Sequence, residues 1–298
     1  MGPYDQSPFV NFHLSPIKMR EKSGKGKFRL IRNLSWPYDE TSINGGIEDE
    51  HKSVSCSSVA QAIKLVMQKP KDSVTRKTDI KDALKIIPVH PDEYHKLGLK
   101  FGGKYYYDVT LPMGGASSCQ IFEDFSTALQ AISEHDIEDQ GITHYLDDFF
   151  FVDENTAASL ANKAKFDALC EDLGVPQAPH KMTPPSLVTE LLGINIDSGE
   201  WKASLLQEKV QEGVELLKEA SDANKMTLLA VQSLVGKLSF ASTVVPARAL
   251  LRRLIDKMRG VTKPWCLIRV TQEMVQDMQT WLDFMSNSME LPFSGPSA

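Results

Sequence analysis

No stretch of this sequence approaches the length and apolarity of a membrane-crossing helix. Its start, Met1-Gly2-Pro3-Tyr4, lacks the pattern of a secretory signal. A membrane-spanning or secreted protein is therefore not expected, and an intracellular one is. Cysteine is scarce: Cys56, Cys119, Cys170 and Cys266 lie far apart and form no CxxC pair. That spacing speaks against a zinc site or a disulfide framework and for reduced thiols. An overall excess of positive charge is missing too. The formal net charge of -6 argues weakly against a nucleic-acid partner, although it says nothing of local patches. At 298 residues, 42% hydrophobic and 24% charged, the chain has ordinary globular composition and length enough for a sizeable core divided into subdomains.

What is present is local. His144-Tyr145-Leu146-Asp147-Asp148-Phe149-Phe150-Phe151-Val152 sets two adjacent aspartates between apolar flanks. The flanks are rich in aromatic and β-branched side chains and read as the strands of a hairpin. Two carboxylates at its tip repel each other unless a cation neutralises them. Hard oxygen donors on a tight turn suit Mg²⁺, which needs few protein carboxylates and keeps waters and substrate phosphates. A solvated Asp-Asp turn is the plainer alternative. Asp79 sits among apolar residues that would otherwise be buried. A buried carboxylate needs a partner charge or a metal, so Asp79 either shares ions with Asp147 and Asp148 or is an N-cap or surface residue.

Two basic stretches stand out. Lys18, Arg20, Lys22, Lys25, Lys27, Arg29 and Arg32 are interrupted by one acid, Glu21, with Gly24 and Gly26 supplying a turn. Lys27-Phe28-Arg29-Leu30-Ile31 alternates as a half-buried strand does. The result is a hairpin that closes on phosphates or one that is merely solvated. The second stretch holds Arg248, Arg252, Arg253, Lys257, Arg259 and Lys263, with Asp256 its only acid.

Between these lie the expected elements. A helix runs over Val59 to Met67 and ends before Pro70; a hairpin spans Leu97 to Val109 around Gly102-Gly103. Leu111-Pro112-Met113-Gly114-Gly115 allows close approach of backbone to a ligand. A helix follows with Ile121, Phe122, Phe125, Leu129 and Ile132 on one face. Another helix, Ala157 to Leu173, stops at Gly174, and a proline-marked connector carries Lys181. Leu187 to Ile196 is strand-like around Gly193. Helices follow over about 205–220, 227–241, 246–258 and 271–285, the last with Met274, Val275, Met278, Trp281, Leu282 and Met285 on one stripe. Strands mixed with helices, then helices alone, imply an α+β chain with a boundary near Asp197-Ser198-Gly199.

In order and spacing, Asp79 with Ala83, Leu111-Pro112-x-Gly114, and Tyr145-x-Asp147-Asp148 resemble the motifs of reverse transcriptases, over about Lys25 to Arg259. Leu234-Val235-Gly236-Lys237-Leu238-Ser239-Phe240-Ala241-Ser242 is similar to the thumb helix of retroviral and gypsy-type enzymes. Phe28-Arg29-Leu30-Ile31 with Leu34-Ser35, and Asp79-Ile80-Lys81 with Pro88-Val89-His90-Pro91, look like DIRS-type retrotransposon enzymes. The resemblance implies a right-hand polymerase fold of the α+β class. Residues 1–24 would be an N-terminal extension, 25–198 the fingers and a ferredoxin-like palm, 199–263 a helical thumb, and 264–298 the truncated start of a connection or RNase H-like region.

The activity implied is that of an RNA-directed DNA polymerase. Its partners would be an RNA or DNA template with its primer and deoxyribonucleoside triphosphates. Its cofactor would be two Mg²⁺ ions, with Mn²⁺ as a substitute, about 3.5–4 Å apart. Under the resemblance Asp79 and Asp147 ligate both ions, Asp148 supports them and the Ile80 carbonyl completes a shell. Lys181 protonates the leaving pyrophosphate. Lys27, Arg29 and the N–H groups of Asp82 and Ala83 hold the triphosphate, and Met113 and Gly114 lie near the incoming base pair. Leu191, Leu192 and Gly193 resemble the primer grip. Gln232, Gly236 and Phe240, on one helix face, match a track along the duplex minor groove, with plain helix packing the other reading of Phe240. Arg252 and Arg253 would meet phosphates.

Two departures qualify this. The fifth residue after Asp79 is usually Tyr or Phe, which excludes ribonucleotides; here it is Leu84, without a ring. The stretch after Lys263 is too short for a complete RNase H domain, which implies a polyprotein fragment or a lone domesticated copy. A weak or retired polymerase fold that only binds primer–template remains open. So does a metal-dependent phosphohydrolase using the same aspartates, although a hydrolase needs no duplex track.

Overall fold

The structure, a computed structural model, describes residues 1–21, 26–137, 141–287 and 290–293. Lys22, Gly24 and Lys25 of the first basic stretch lie outside the described residues. The chain divides into two compact units, each gathered from separate stretches. Met1–Ser57, Thr78–Phe149 and Ala161–Met182 make one, and Ser58–Lys77, Phe150–Leu160 and Thr183–Ala298 make the other. Among the described residues no helix is long and apolar enough to cross a membrane, and all four cysteines are free.

In the first unit, Ile17–Glu21 and Phe28–Arg32 pair antiparallel, from Ile17 opposite Arg32 to Glu21 opposite Phe28. A second hairpin pairs Gly98–Phe101 with Lys104–Tyr107 around the expected two-glycine turn. The three tyrosines of that turn's exit strand are packing residues. Tyr107 takes Tyr4, Phe9 and Tyr94 against its ring at 5.9, 5.1 and 5.4 Å. Tyr4 and Tyr105 exchange backbone hydrogen bonds, which docks the start of the chain on this hairpin.

The helix Ser118–Ile137 is rotated relative to its expected face. Phe122, Leu129 and Ile137 are buried with Ser118, Glu123, Ser126 and Ser133, while Ile121 and Ile132 are exposed. The apolar count misled because serines permit close packing and Glu123 is buried for a polar reason given below.

A three-stranded sheet has Asp148–Asp153 at its centre, flanked by Val74–Asp79 and Ile142–Tyr145. Asp79 ends one strand and Asp148 begins the strand beside it, so two carboxylates fall at strand ends of one sheet.

The second unit carries the larger apolar core. Val59–Gln68 is a helix entered through Ser58, whose N–H donates to Oε1 of Gln61 at 2.7 Å, and left just before Pro70. Its Ala62, Ile63 and Val66 join Phe150, Val152, Ile194, Ile196, Leu217, Leu234, Met278 and Trp281 in one cluster. A four-stranded sheet runs in the order Glu290–Pro292, Lys202–Leu205, Ile194–Asp197, Val188–Leu191. Helices cover Gln207–Asp222, Leu228–Ala241, Arg252–Met258 and Gln272–Asn287. The expectation of helices alone after residue 199 is corrected by four short strands. These are Lys202–Leu205 with its antiparallel neighbour Glu290–Pro292, and the antiparallel pair Lys225–Thr227 with Leu267–Arg269. They are three or four residues long, too short for periodicity to declare them. The methionine and tryptophan stripe of the last helix faces the core, with Thr271 Oγ1 accepting the N–H of Met274 at its start.

Candidate active site and nucleic-acid interface

Asp147 occupies the two-residue turn Leu146–Asp147 between the strands Ile142–Tyr145 and Asp148–Asp153. Leu146 is left-handed, with φ 52°. The carbonyl of Asp147 accepts the N–H of Ile80 at 2.9 Å, which fastens the turn beside Asp79. Burial, and then the charge of Asp79, holds the Asp147 carboxyl above its usual range, with Lys181 and Arg29 pulling the other way. Asp79 is 3% exposed.

The proline-marked connector proves to be a rail alongside Asp79. Lys81 donates to the Pro176 carbonyl at 2.8 Å and Ala178 to the Asp79 carbonyl at 2.9 Å; Thr78 Oγ1 meets Gln177 Oε1 at 3.0 Å. Residues Pro179–Lys181 then form a single 3₁₀ turn that delivers Lys181 Nζ to Asp79 Oδ2 at 2.5 Å. Burial lowers the affinity of Lys181 for its proton, but the hydrogen bond and charge of Asp79, with Asp147 and Asp148, carry its pKa above the ordinary value. An ammonium group seated on Asp79, and a carboxyl on Asp147 that its neighbour's charge keeps protonated longer, mark a place that favours added positive charge. The donors are all oxygen, which fits Mg²⁺. The three aspartates do not bring one oxygen each within 4.8 Å of one another. Among the described residues the cluster that does so is Glu48, Glu50 and His51, all exposed.

On the nucleotide side, Lys27 and Arg29 are exposed on the basic hairpin, and Arg29 lies near enough for its charge to act on Asp147. Arg32 must be struck from the phosphate-binding group. It is 3% exposed, donates to the carbonyls of Leu97 and Gly98 at 3.3 and 2.5 Å, and pairs with Asp108. The half-buried strand expected here is corrected too: Phe28 and Leu30, on the same face by alternation, are 53% and 47% exposed, so the burial of Arg32 is set by its distant partners and not by the pattern. Asp82 is left-handed (φ 55°) and opens the 3₁₀ turn Ala83–Ile86, which carries half-buried Leu84. Met113 is exposed, and its carbonyl accepts the N–H of Arg32 at 2.9 Å. Gly114 has φ 121°, and a Cβ there would lie 2.0 Å from the Arg32 carbonyl oxygen. The side chain of Asn44 ties this turn down, donating to the Gly114 carbonyl at 3.0 Å and accepting from Ala116 at 2.8 Å.

The second unit gathers another set. Leu191 pairs with Ile194 across the turn Leu192–Gly193, whose φ values of 51° and 80° are those of a type I′ hairpin turn. Leu192, Gly193, Gly236 and Phe240 line one cleft of about 490 Å³, together with Glu212, Lys237 and Met285. Leu191 is 3% exposed and faces the core, so its side chain contributes packing. Gln232 is exposed outside the cleft. Arg252 is 87% exposed at its side chain, whereas Arg253 places Nη1 2.6 Å from both oxygens of Asp277. Asp277 lies on the last helix, so counting acids along the basic stretch could not reveal it. Two further residues escaped the sequence reading, Asp277 and Glu123. Only the polar break that Glu123 makes in an apolar helix face could have signalled it.

No protein-family profile matches the chain, and no curated protein does. Solved structures do. A foamy viral protease–reverse transcriptase with double-stranded DNA superposes at a TM-score of 0.68 with 17% identity, covering 95% of this chain and 45% of its own. The same kind of protein with an RNA/DNA hybrid gives 0.67, 16%, 95% and 34%. A third, with double-stranded DNA, gives 0.66, 16%, 95% and 54%. The chain has a reverse-transcriptase-like fold. It spans between about a third and a half of those longer chains. Within the reverse-transcriptase-like fold, Asp79, Asp147, Asp148 and Lys181 share one unit, as do Leu192, Gly193, Gly236 and Phe240 in the other.

Proposed function

We propose that this chain is the polymerase portion of an RNA-directed DNA polymerase of retroelement origin, of the gypsy or DIRS type by its motifs. In this reading the first unit supplies fingers and palm surfaces, and the helices after Gly199 act as the thumb. The observation that carries the proposal is the meeting of Asp79, the Leu146–Asp147 turn and Lys181 at strand ends of one sheet, in a fold shared with reverse transcriptases solved on nucleic acid.

Asp79 and Asp147 would hold divalent magnesium, with Asp148 in support and the Ile80 carbonyl beside them. Bound there, the ions would supply charge neutralisation and activation of the primer 3′-hydroxyl. The chain's own groups do the remainder. Arg29 and Lys27, with the N–H groups of Asp82 and Ala83, orient the triphosphate. Lys181, its proton held firmly by three carboxylates, would supply one to a departing pyrophosphate. Most of the acceleration of phosphoryl transfer comes from such positioning and charge. Leu192, Gly193, Gly236 and Phe240 present a surface of backbone and apolar groups to the primer–template duplex, which reads shape and not base sequence. Template and deoxyribonucleoside triphosphates are the partners implied.

The test is primer extension on RNA and DNA templates with Mg²⁺ and with Mn²⁺. Extension that is lost with a chelator and restored by Mg²⁺ supports the reading. Tight duplex binding without extension under every condition favours the alternative, a retired polymerase fold. Hydrolysis of phosphate esters without extension favours the phosphohydrolase.

A further inference from the structure

Behind the aspartate turn is a set of buried polar groups to which the proposed reaction assigns nothing. Glu123 is 5% exposed on the helix Ser118–Ile137. Its Oε2 accepts the N–H of Leu146 at 3.2 Å. Its Oε1 lies 3.3 Å from Nε2 of His144, at angles too poor for a hydrogen bond. His144 is fixed from its other side. Nδ1 meets Oε1 of Gln130 at 2.6 Å, Gln130 Nε2 donates to the Ile142 carbonyl and to Glu134, and the imidazole stacks on Phe149 with centroids 5.2 Å apart. Cys56 also faces Glu123. Burial, then the charge of Glu123, pushes its thiol up to about 11, so it stays protonated.

A buried carboxylate without a compensating charge is unfavourable, and here none is at hand. Burial holds the His144 pKa below its ordinary value against the pull of Glu123, so the imidazole is neutral at pH 7. What the carboxylate does hold is a backbone N–H in an awkward place. Leu146 is left-handed, which a leucine resists because its Cβ crowds the following carbonyl oxygen. Its N–H, pointing under the helix, would be stranded without an acceptor. The far side of the same turn is tied by Ile80 to the Asp147 carbonyl. With both ends of the turn anchored, the direction of the Asp147 side chain is set before any ligand arrives.

We infer that Glu123 is a positioning residue: its carboxylate locks the left-handed Leu146 peptide and thereby aims Asp147 at the divalent-cation site. The inference rests on the polymerase reading for what Asp147 is aimed at, and on the geometry of the turn for the rest.

The test compares wild type, Glu123→Gln and Glu123→Leu. Glutamine keeps an acceptor for Leu146; leucine fills the space and removes it. Three readouts are taken: amide hydrogen exchange at Leu146, Mn²⁺ binding followed by the free-ion paramagnetic resonance signal, and primer extension. Glu123→Leu is expected to speed exchange at Leu146 and to lower Mn²⁺ affinity and kcat by about 10- to 100-fold, the usual effect of losing an outer-shell partner. KM for nucleotide and affinity for primer–template should hold, and Glu123→Gln should return all three readouts close to wild type. A folded Glu123→Leu with wild-type exchange at Leu146 and wild-type Mn²⁺ affinity overturns the inference. Should Glu123→Leu fail to fold, Glu123→Asp, one methylene short of Leu146, takes its place with the same outcomes. A wild-type protein that extends no primer sinks the polymerase reading alone, because exchange and Mn²⁺ binding still decide the role of Glu123.

Discussion

Two hairpin turns in this protein open alike and then diverge: Gly193 continues left-handed at φ 80°, Asp147 does not, and what lies behind each turn differs as well. Leu146–Asp147 and Leu192–Gly193 each span two residues, and each opens with a leucine near φ 50°. The first rests on buried polar groups, Glu123 and His144, and carries a carboxylate. The second rests on a cleft walled by Phe240, Gly236 and Met285, with the ion pair of Lys237 and Glu212 also in its lining, and the turn itself carries no charge. The same strained leucine is thus held by a hydrogen bond in one case and by packing in the other. A charged turn needs directional support, since a side chain that must meet a cation fails if it is misaimed. A neutral turn that offers only surface needs shape, which close packing supplies.

The largest test of this contrast is Asp147→Asn. It keeps the shape of the first turn and removes its charge. Turnover in primer extension should fall by at least about 10²–10³-fold, the scale of losing one preorganised electrostatic group, while primer–template affinity changes little. Asp79→Asn should behave alike. Near-normal extension by either would remove the charged turn from the chemistry.

Next in size is Leu84→Phe, on the 3₁₀ turn beside Asp82. If leucine leaves room for a ribose 2′-hydroxyl, the ratio of kcat/KM for a deoxyribonucleotide over its ribonucleotide should rise about tenfold or more, equivalent to about 1.4 kcal/mol in relative barrier. A wild-type ratio that is already high and does not move would place the sugar gate elsewhere.

Gly193→Ala probes the apolar turn. The new Cβ meets Phe240 Cζ at 3.2 Å on a residue with φ +80°. Strain of about 1–2 kcal/mol should appear in the unfolding free energy, with weaker duplex binding and an unchanged kcat on saturating duplex. A drop in kcat would mean that the two turns are less separate in function than in chemistry.

The smallest effect is expected from Arg252→Ala. The log–log salt dependence of duplex binding should flatten by about 0.9, one phosphate's worth. Arg253→Ala should flatten it less and destabilise the fold, because Arg253 is committed to Asp277. Equal slopes for both variants would show that Asp277 yields its partner to nucleic acid.

The sequence shows the charged turn more plainly than the apolar one, and for a physical reason. Two aspartates between aromatic strands contradict their surroundings and draw notice. Asp79, alone among apolar neighbours, does the same. Leu192 and Gly193 contradict nothing, and only their resemblance to a primer grip pointed to them. Contacts that join distant segments were out of reach. Neither Arg32 beneath the hairpin nor Asp277 against Arg253 follows from local pattern, since each is decided by a partner far along the chain. The helix Ser118–Ile137 was found, but its inward face was misassigned because hydrophobicity was allowed to outvote small size.

The approach of Gly114 to the Arg32 carbonyl bears on how this pocket can change over generations. With 2.0 Å between that oxygen and any Cβ, position 114 admits no side chain at all, whatever selection asks of it. Met113, one residue earlier and 39% exposed, has no such wall. In a saturation library selected for altered nucleotide use, survivors should therefore accumulate at 113 and be absent at 114. The route open to adaptation is one residue wide, and a buried arginine that touches no substrate has drawn its edge.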